Sequence, residues 1–242
     1  MRPELISPDR GGRLSGAMAF PQPIRAVIFD MDGLLVDTEA MIRDLMIKAA
    51  LTRGATLPFE VFMQMVGLPD QASTAVARAH FGDDFPLEEL LAEVSAGARA
   101  ACEIGVALKA GVVELLDHLD AAAIPRAIAT SSSHGAVQRT LGPSGILPRF
   151  DAIVAAGDYP RGKPNPDPFL TAAARLGVAP ELCLALEDSH NGVRAAHAAR
   201  MMTVMVPDLL EPTDEMREKC LAIAESLHHV REMIDQGAMV AR

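Results

Sequence analysis

Two aspartates one residue apart, Asp30 and Asp32, end the apolar run in "AVIFDMDGLLVDTE" (26–39), and Gly33 follows at once. Like charges this close repel, and burying either one unpaired is costly. An isolated D-x-D is ordinarily a solvated acidic turn; the other possibility is a cation between the two carboxylates. Three further stretches bear on the choice, because each falls at or just beyond the end of a strand-like run. In "AIATSSS" (127–133), Thr130, Ser131 and the serines after them offer hydroxyl and amide donors ahead of a helix start, a pattern that binds an oxyanion or merely caps the helix. In "GKPNPDPF" (162–169), Lys163 is framed by Gly162, Pro164 and Pro166, which fix its backbone while leaving the ammonium free to reach. In "LEDSHNGVRAA" (186–196), Glu187 and Asp188 sit beside a helix N-terminus; neighbours on a strand point opposite ways, so one faces the site and the other acts through water or by support. Carboxylates converging on one sheet edge need a hard cation, and oxygen ligands with retained waters suit Mg²⁺. The expected ligands are Asp30, Asp188 and Glu187, with Asp32 contributing through its backbone carbonyl. Such a set suits phosphoryl transfer: Asp30 attacks phosphorus, Lys163 and the cation neutralise charge, and Asp32 moves the proton.

These groups need elements to hold them, and the apolar pattern supplies candidates. "RAVIFD" (25–30), "PRAIAT" (125–130), "FDAIVAA" (150–156), "LCLALED" (182–188) and "MTVMV" (202–206) are short and apolar, as strands buried on both faces are. "SHGAVQRTLG", "NPDPFLTAAARLG" and "SHNGVRAAHAAR" read as helices between the last four. Alternation of this kind predicts an α/β fold with a doubly wound parallel sheet, whose ligands bind outside the strands' carboxyl ends. About 95 residues separate the first two strands, far beyond the 10–12 or so of a minimal crossover. Within that interval 38–53, 59–66, 69–80 and 86–109 read as helices, and 111–122 as the crossover helix. The chain thus divides into an N-terminal extension without ordered structure (1–22), an α/β core (23–37 and 110–242) and a helical cap (38–109), with Met18 as an alternative start. Cap movement would hinge near Val36–Thr38 and Lys109–Gly111.

Composition narrows the classes. The 242 residues are 50% hydrophobic and 22% charged, with a formal net charge of −10. That balance argues against nucleic acid, whose phosphates require a basic surface, and no apolar run reaches the roughly 20 residues of a bilayer span. Cys102, Cys183 and Cys220 are far apart and form no C-x-x-C, which suits reduced thiols in a cytoplasm. Nothing suggests a macromolecular partner, and a monomer or weak homodimer is expected. In the helical insertion, Met41, Met46, Met63 and Met65 could line a malleable cavity, although such a stripe is ordinarily core. Arg43, Lys48 and Arg53 read as a solvated face, and Arg78 or Arg99 as a cation turned toward substrate.

With its four stretches in order, "DMDGLLVDTE", "TSS", "GKPNPDPF" and "LEDSHNGVRAA", the chain resembles the haloacid dehalogenase superfamily over about residues 24–235. The resemblance is to the phosphatases and sugar-phosphate mutases with a helical cap, the β-phosphoglucomutase-like group with a Rossmann-like core. It implies Asp30 as nucleophile, Asp32 as acid/base, Thr130 and Lys163 as phosphate binders, Asp188 as metal ligand with Glu187 beside it, and Mg²⁺ as cofactor. An acid at position 32 separates this chain from the dehalogenases and the cation pumps. A mutase must rebind a bisphosphate and needs a cationic cap. Here "VGLPDQAS" (66–73) has no Lys or Arg, Asp70 stands near the position of the mutases' basic residue, and Ile42 stands where they carry histidine. The expectation is a Mg²⁺-dependent phosphatase for a small phosphorylated metabolite, a sugar or polyol monophosphate, with a hexose-phosphate mutase as alternative. A non-catalytic binding protein on the same fold would be free to lose Asp30, Asp32 or Lys163, and all three are present.

Overall fold

The computed structural model describes residues 20–68 and 70–240. Six parallel strands form one sheet in the order β3-β2-β1-β4-β5-β6: β1 (Ala26–Phe29), β2 (Arg126–Ser133), β3 (Ala152–Ala156), β4 (Cys183–Glu187), β5 (Met202–Met205) and β6 (Ala222–Ile223). The doubly wound α/β architecture expected from the alternation is present. Alternation along β1 explains why both faces must be covered. Val27 and Phe29 pack with α5 (Val112–Ala121) and α10 (Leu227–Val240), whereas Ala26 and Ile28 pack with α7 (Asp167–Leu176) and α8 (His190–Ala198). Asp30 continues the second row, so its carboxylate emerges on the side of α7 and α8. Phe29 is fully buried and meets the Phe150 ring edge-on at 5.7 Å. It pairs with Ile128 of β2 and Leu186 of β4, which fixes the register of the three central strands just before Asp30, Thr130 and Glu187.

β2 departs from a regular ladder where the chemistry begins. Ala129 pairs with Val154, yet the next pair is Ser133 with Ala156, so Thr130–Ser132 bulge out of register. Bulges at sheet edges re-aim side chains. "PRAIAT" alone marks the regular part of β2; the hydroxyl run continues the strand and is bent by it.

Four helices intervene between β1 and α5: α1 (Thr38–Leu51), α2 (Phe59–Met63), α3 (Asp70–Phe81) and α4 (Leu87–Ile104). They enclose a hydrophobic cluster of their own around Ala50, Phe62, Leu87 and Leu90. The last was expected to run to 109 but stops at Ile104, because Gly105 takes φ 122° and turns the chain out of the helix. Leu108 then pairs antiparallel with Val36, with Asp37 N–H donating to the Ala107 carbonyl and Lys109 N–H to that of Leu35, each at 3.0 Å. The two crossings are therefore hydrogen-bonded to one another rather than independent. Against the core, α4 rests on α6 (His134–Leu141), with Cys102 Sγ 3.5 Å from Thr140 Oγ1.

Two elements escape the apolar reading. β6 is two residues long, and α9 (Asp214–Lys219) spans little more than a turn. Most of the expected N-terminal extension, residues 1–19, lies outside the described residues, while Phe20 and Ile24 pack against the main cluster. Pro69 and the side chain of Asp70 also fall outside them. No described helix is long and apolar enough to cross a membrane. Phe29→Ala is expected to cost about 3–5 kcal/mol by removing a filled ring beneath the central strands. Urea unfolding followed by circular dichroism measures it.

Candidate active site

Every predicted site residue lies at the carboxyl edge of the sheet, and the sequence-distant ones touch. Lys163 Nζ bonds Asp30 Oδ1 and, at 2.6 Å, Glu187 Oε1. All three side chains are buried, at 6, 9 and 0% exposure for Lys163, Asp30 and Glu187. The ammonium also stands over the Phe169 ring, 5.1 Å from its centroid, so its apolar support comes from the first turns of α7. Burial pushes the Asp30 carboxyl up to about 7 against the pull of Lys163, with Glu187 and Asp32 adding to the rise. The two carboxylates hold Lys163 above the usual lysine range despite its burial.

Glu187 and Asp188 divide their tasks as adjacent strand-end residues should. Glu187 Oε2 accepts from the Asp188 and Ser189 N–H groups at 3.2 Å and from Ser189 Oγ at 3.0 Å, which places its charge on the N-terminus of α8. Its other oxygen holds Lys163. Asp188 turns toward Gly33, and its carboxyl is raised well above the usual range by burial, then by Asp30 and Glu187. Ligand atoms of Asp30, Glu187 and Asp188 all fall within 4.8 Å of one another. Such proximity leaves more negative charge than Lys163 can balance.

Asp32 faces elsewhere. Thr38 Oγ1 donates to Oδ1 at 3.0 Å and Ser132 Oγ to Oδ2 at 2.8 Å, so two hydroxyls from opposite sides fix the carboxylate. Of the β2 bulge, Thr130 is buried and accepts from the Ser132 N–H at 3.0 Å, while Ser131 is exposed. Tyr159 O–H donates to the Thr130 carbonyl at 3.0 Å and ties the Lys163 loop to β2. The same loop is anchored by Asp158, which accepts from Ala155 N–H at 3.0 Å and pairs with Arg175 at 3.1 Å. These partners hold its carboxyl down at about 2.

Thr38 and Tyr159 were not singled out from sequence, and Ser132 was read only as one of the hydroxyl run, not as a partner of Asp32. Thr38 lies in the "DTE" of the first stretch, six residues after Asp32, a spacing that becomes a contact only because the chain doubles back through the Gly33–Val36 turn. Among the cap residues, Met46 and Met65 are buried in the helical cluster and Met63 packs against it, which is core rather than lining. Arg78 is consumed by the α3–α4 turn, donating to the Phe85 carbonyl at 3.0 Å and pairing with Glu88. Arg53 pairs with Glu93 at 2.7 Å and Arg43 with Asp44 at 2.8 Å; Lys48 and Arg99 are exposed.

A family model described as haloacid dehalogenase-like hydrolase matches residues 24–200. A protein of Drosophila melanogaster named probable pseudouridine-5′-phosphatase is 36% identical over 187 residues, covering 75% of this chain and 80% of its own. Hexitol phosphatase B of Escherichia coli (strain K12) is 33% identical over 198 residues, covering 78% and 86%. Among solved structures, a HAD family hydrolase from Deinococcus radiodurans R1 with bound phosphate and sodium superposes with a TM-score of 0.77 at 28% identity. It covers 90% of this chain and 97% of the other.

One glycine is essential to the carboxylate arrangement. A Cβ on Gly192 would overlap the Glu187 carboxylate, which three donors and Lys163 hold in place. Gly192→Ala is expected to lower stability by about 1–3 kcal/mol through overpacking, read from the urea midpoint. An unchanged midpoint would mean that Glu187 moves freely.

Proposed function

The chain belongs to the haloacid dehalogenase-like hydrolases, and on that premise we propose that it is a Mg²⁺-dependent phosphatase working through an aspartyl phosphate on Asp30. The observation that carries this reading is the buried bridge of Lys163 between Asp30 and Glu187 with Asp188 beside it. The donor set fits a divalent cation: hard oxygen ligands, charge in excess, and an Asp188 carboxyl pushed up by burial and then by its acidic neighbours. Asp30, Asp188 and, directly or through water, Glu187 would hold it, with the Asp32 carbonyl completing the protein's share. When bound, Mg²⁺ supplies the positive charge that lets anionic Asp30 approach an anionic phosphoryl group.

The chain's own residues do the rest. Lys163 supports Asp30 from one side and offers its ammonium to the phosphoryl oxygens. Thr130, Ser131 and the amides of the bulge supply the other donors. Asp30 forms the bond to phosphorus as the bond to the ester oxygen breaks, and protonated Asp32 gives its proton to the leaving alkoxide. The now anionic Asp32 takes a proton from water, whose oxygen attacks phosphorus and releases Asp30. Thr38 and Ser132 keep Asp32 aimed at both oxygens in turn.

A small polyhydroxylated monophosphate is the substrate class we favour. Two relatives carry names for phosphatases of that kind, for pseudouridine-5′ and hexitol esters. The mutase alternative requires a second phosphate site on the helical unit. Arg43, Arg53 and Arg78 are engaged with local acidic partners, leaving Lys48 and Arg99 as the exposed cations of that unit, a depletion that favours hydrolysis.

A panel of sugar, polyol and nucleotide monophosphates with Mg²⁺ tests the reading, recording phosphate and isomerised ester together. Phosphate release is expected, unstimulated by added hexose bisphosphate. Isomerisation outrunning release would establish the mutase instead. Asp30→Asn should abolish release, and Asp32→Asn should lower kcat about 10²–10⁴-fold, the range for a positioned acid/base. Chelation by EDTA should stop turnover and Mg²⁺ restore it; full turnover in EDTA would contradict the metal's role.

A further inference from the structure

The segment after β5, "VPDLLEPTD" (206–214), joins three parts of the molecule. Asp208 Oδ1 accepts from Lys109 Nζ at 2.6 Å, and that ammonium also lies 3.7 Å from Asp37 Oδ1. Lys109 and Asp37 belong to the two paired crossings. Leu209 packs against the hydrophobic cluster of α1–α4, and Leu210 Cδ1 would stand 3.2 Å from a Cβ on Gly67. A core loop thus grips both the hinge and the helical unit.

The second oxygen of Asp208 is not accounted for by this grip. Oδ2 is buried and finds no hydrogen-bond donor among the described residues, and the side chain is only 10% exposed. Leaving such a group unsatisfied is costly, so its surroundings must offer a donor that is not among the described residues. Its direction identifies that donor. A Cβ on Gly33 would overlap Asp188 Oδ2 and stand 3.4 Å from Asp208 Oδ2, so the two oxygens flank one point at the edge of the carboxylate cluster. Glu39, in the first turn of α1, feels the same charge: its carboxyl is raised by burial and then by Asp208, Asp32 and Asp37.

We infer that Asp208 is a positioning residue of the phosphoryl-transfer site, whose Oδ2 accepts a hydrogen bond from a water on the divalent cation held by Asp30 and Asp188. Oδ1 meanwhile holds Lys109, so one carboxylate serves both the metal site and the crossing that seats the helical unit. This rests on the Mg²⁺-dependent reading above. Lys109 does not take the water's place: its ammonium bonds Oδ1 and makes no hydrogen bond to Oδ2. An acceptor of this kind orients the water and strengthens metal binding, and removing such an outer partner typically weakens affinity about 10–100-fold.

Calorimetric titration of the full chain with MgCl₂, without substrate, tests the assignment. Asp208→Asn keeps an oxygen for Lys109 but places an N–H₂ group where an acceptor is needed, and its Kd for Mg²⁺ should rise about tenfold or more. Lys109→Met removes the hinge contact alone and should leave Kd within about twofold of the wild-type value, since it spares the outer acceptor. Equal Kd for wild type and Asp208→Asn, or equal weakening in both variants, would overturn the assignment and leave the phosphatase reading standing. A wild-type chain that binds no Mg²⁺ would overturn both. Should Asp208→Asn not fold, Asp208→Ala is held to the same values.

Discussion

Asp30, Glu187 and Asp188 share one buried region at the carboxyl edge of the sheet with a single ammonium, that of Lys163. Burying charge is affordable only when partners and hydrogen bonds replace water. Lys163 satisfies Asp30 and Glu187, and the N-terminus of α8 satisfies the other Glu187 oxygen. Asp188 remains without a cationic partner among the described residues, and burial, then Asp30 and Glu187, raise its carboxyl. A group of residues arranged this way is under-neutralised by construction. The deficit selects for a hard cation, and an anionic phosphoryl group can approach only once that charge is neutralised.

Much of the surrounding structure follows from keeping these groups in place. The register of β1, β2 and β4 brings Asp30, Thr130 and Glu187 to one edge, and Phe29 locks that register from below. Gly33 and Gly192 are required because a side chain at either would occupy the space of Asp188 or Glu187. Lys163 approaches from a loop pinned at Asp158 and Tyr159, so its position is set by β2 and β3 rather than by its own flexible stem. The helical unit contributes Thr38 to Asp32 and, at its return crossing, Lys109 to Asp208 of the core, which makes its seating part of the same electrostatic arrangement.

How much of this the sequence carries depends on the range of the interaction. Asp30, Lys163, Glu187 and Asp188 each follow an apolar strand or a proline-framed loop, and strand ends in a parallel sheet share one edge, so their convergence follows from local pattern alone. The contacts of Thr38 and Ser132 with Asp32 were invisible because they depend on a tight turn and a bulge, neither of which leaves a periodic trace. Asp208 lies in a loop whose proline and acidic residues resemble any solvated connection; only the fold brings it beside Gly33. Arg78 failed as a substrate-facing cation because the α3–α4 turn had carbonyls to satisfy, a local demand that a hydropathy pattern does not encode. Short elements such as β6 and α9 fall below the length at which periodicity can be read at all.

The central claim is that Asp30 becomes covalently attached to phosphorus during turnover. The direct test is to quench the protein with acid during steady turnover on its best ester with Mg²⁺, treat it with borohydride and map the product by mass spectrometry. An acyl phosphate is reduced to the alcohol, so homoserine is expected at position 30 and at no other carboxylate. Active protein with an unmodified Asp30, or with reduction at a different acid, would contradict the account.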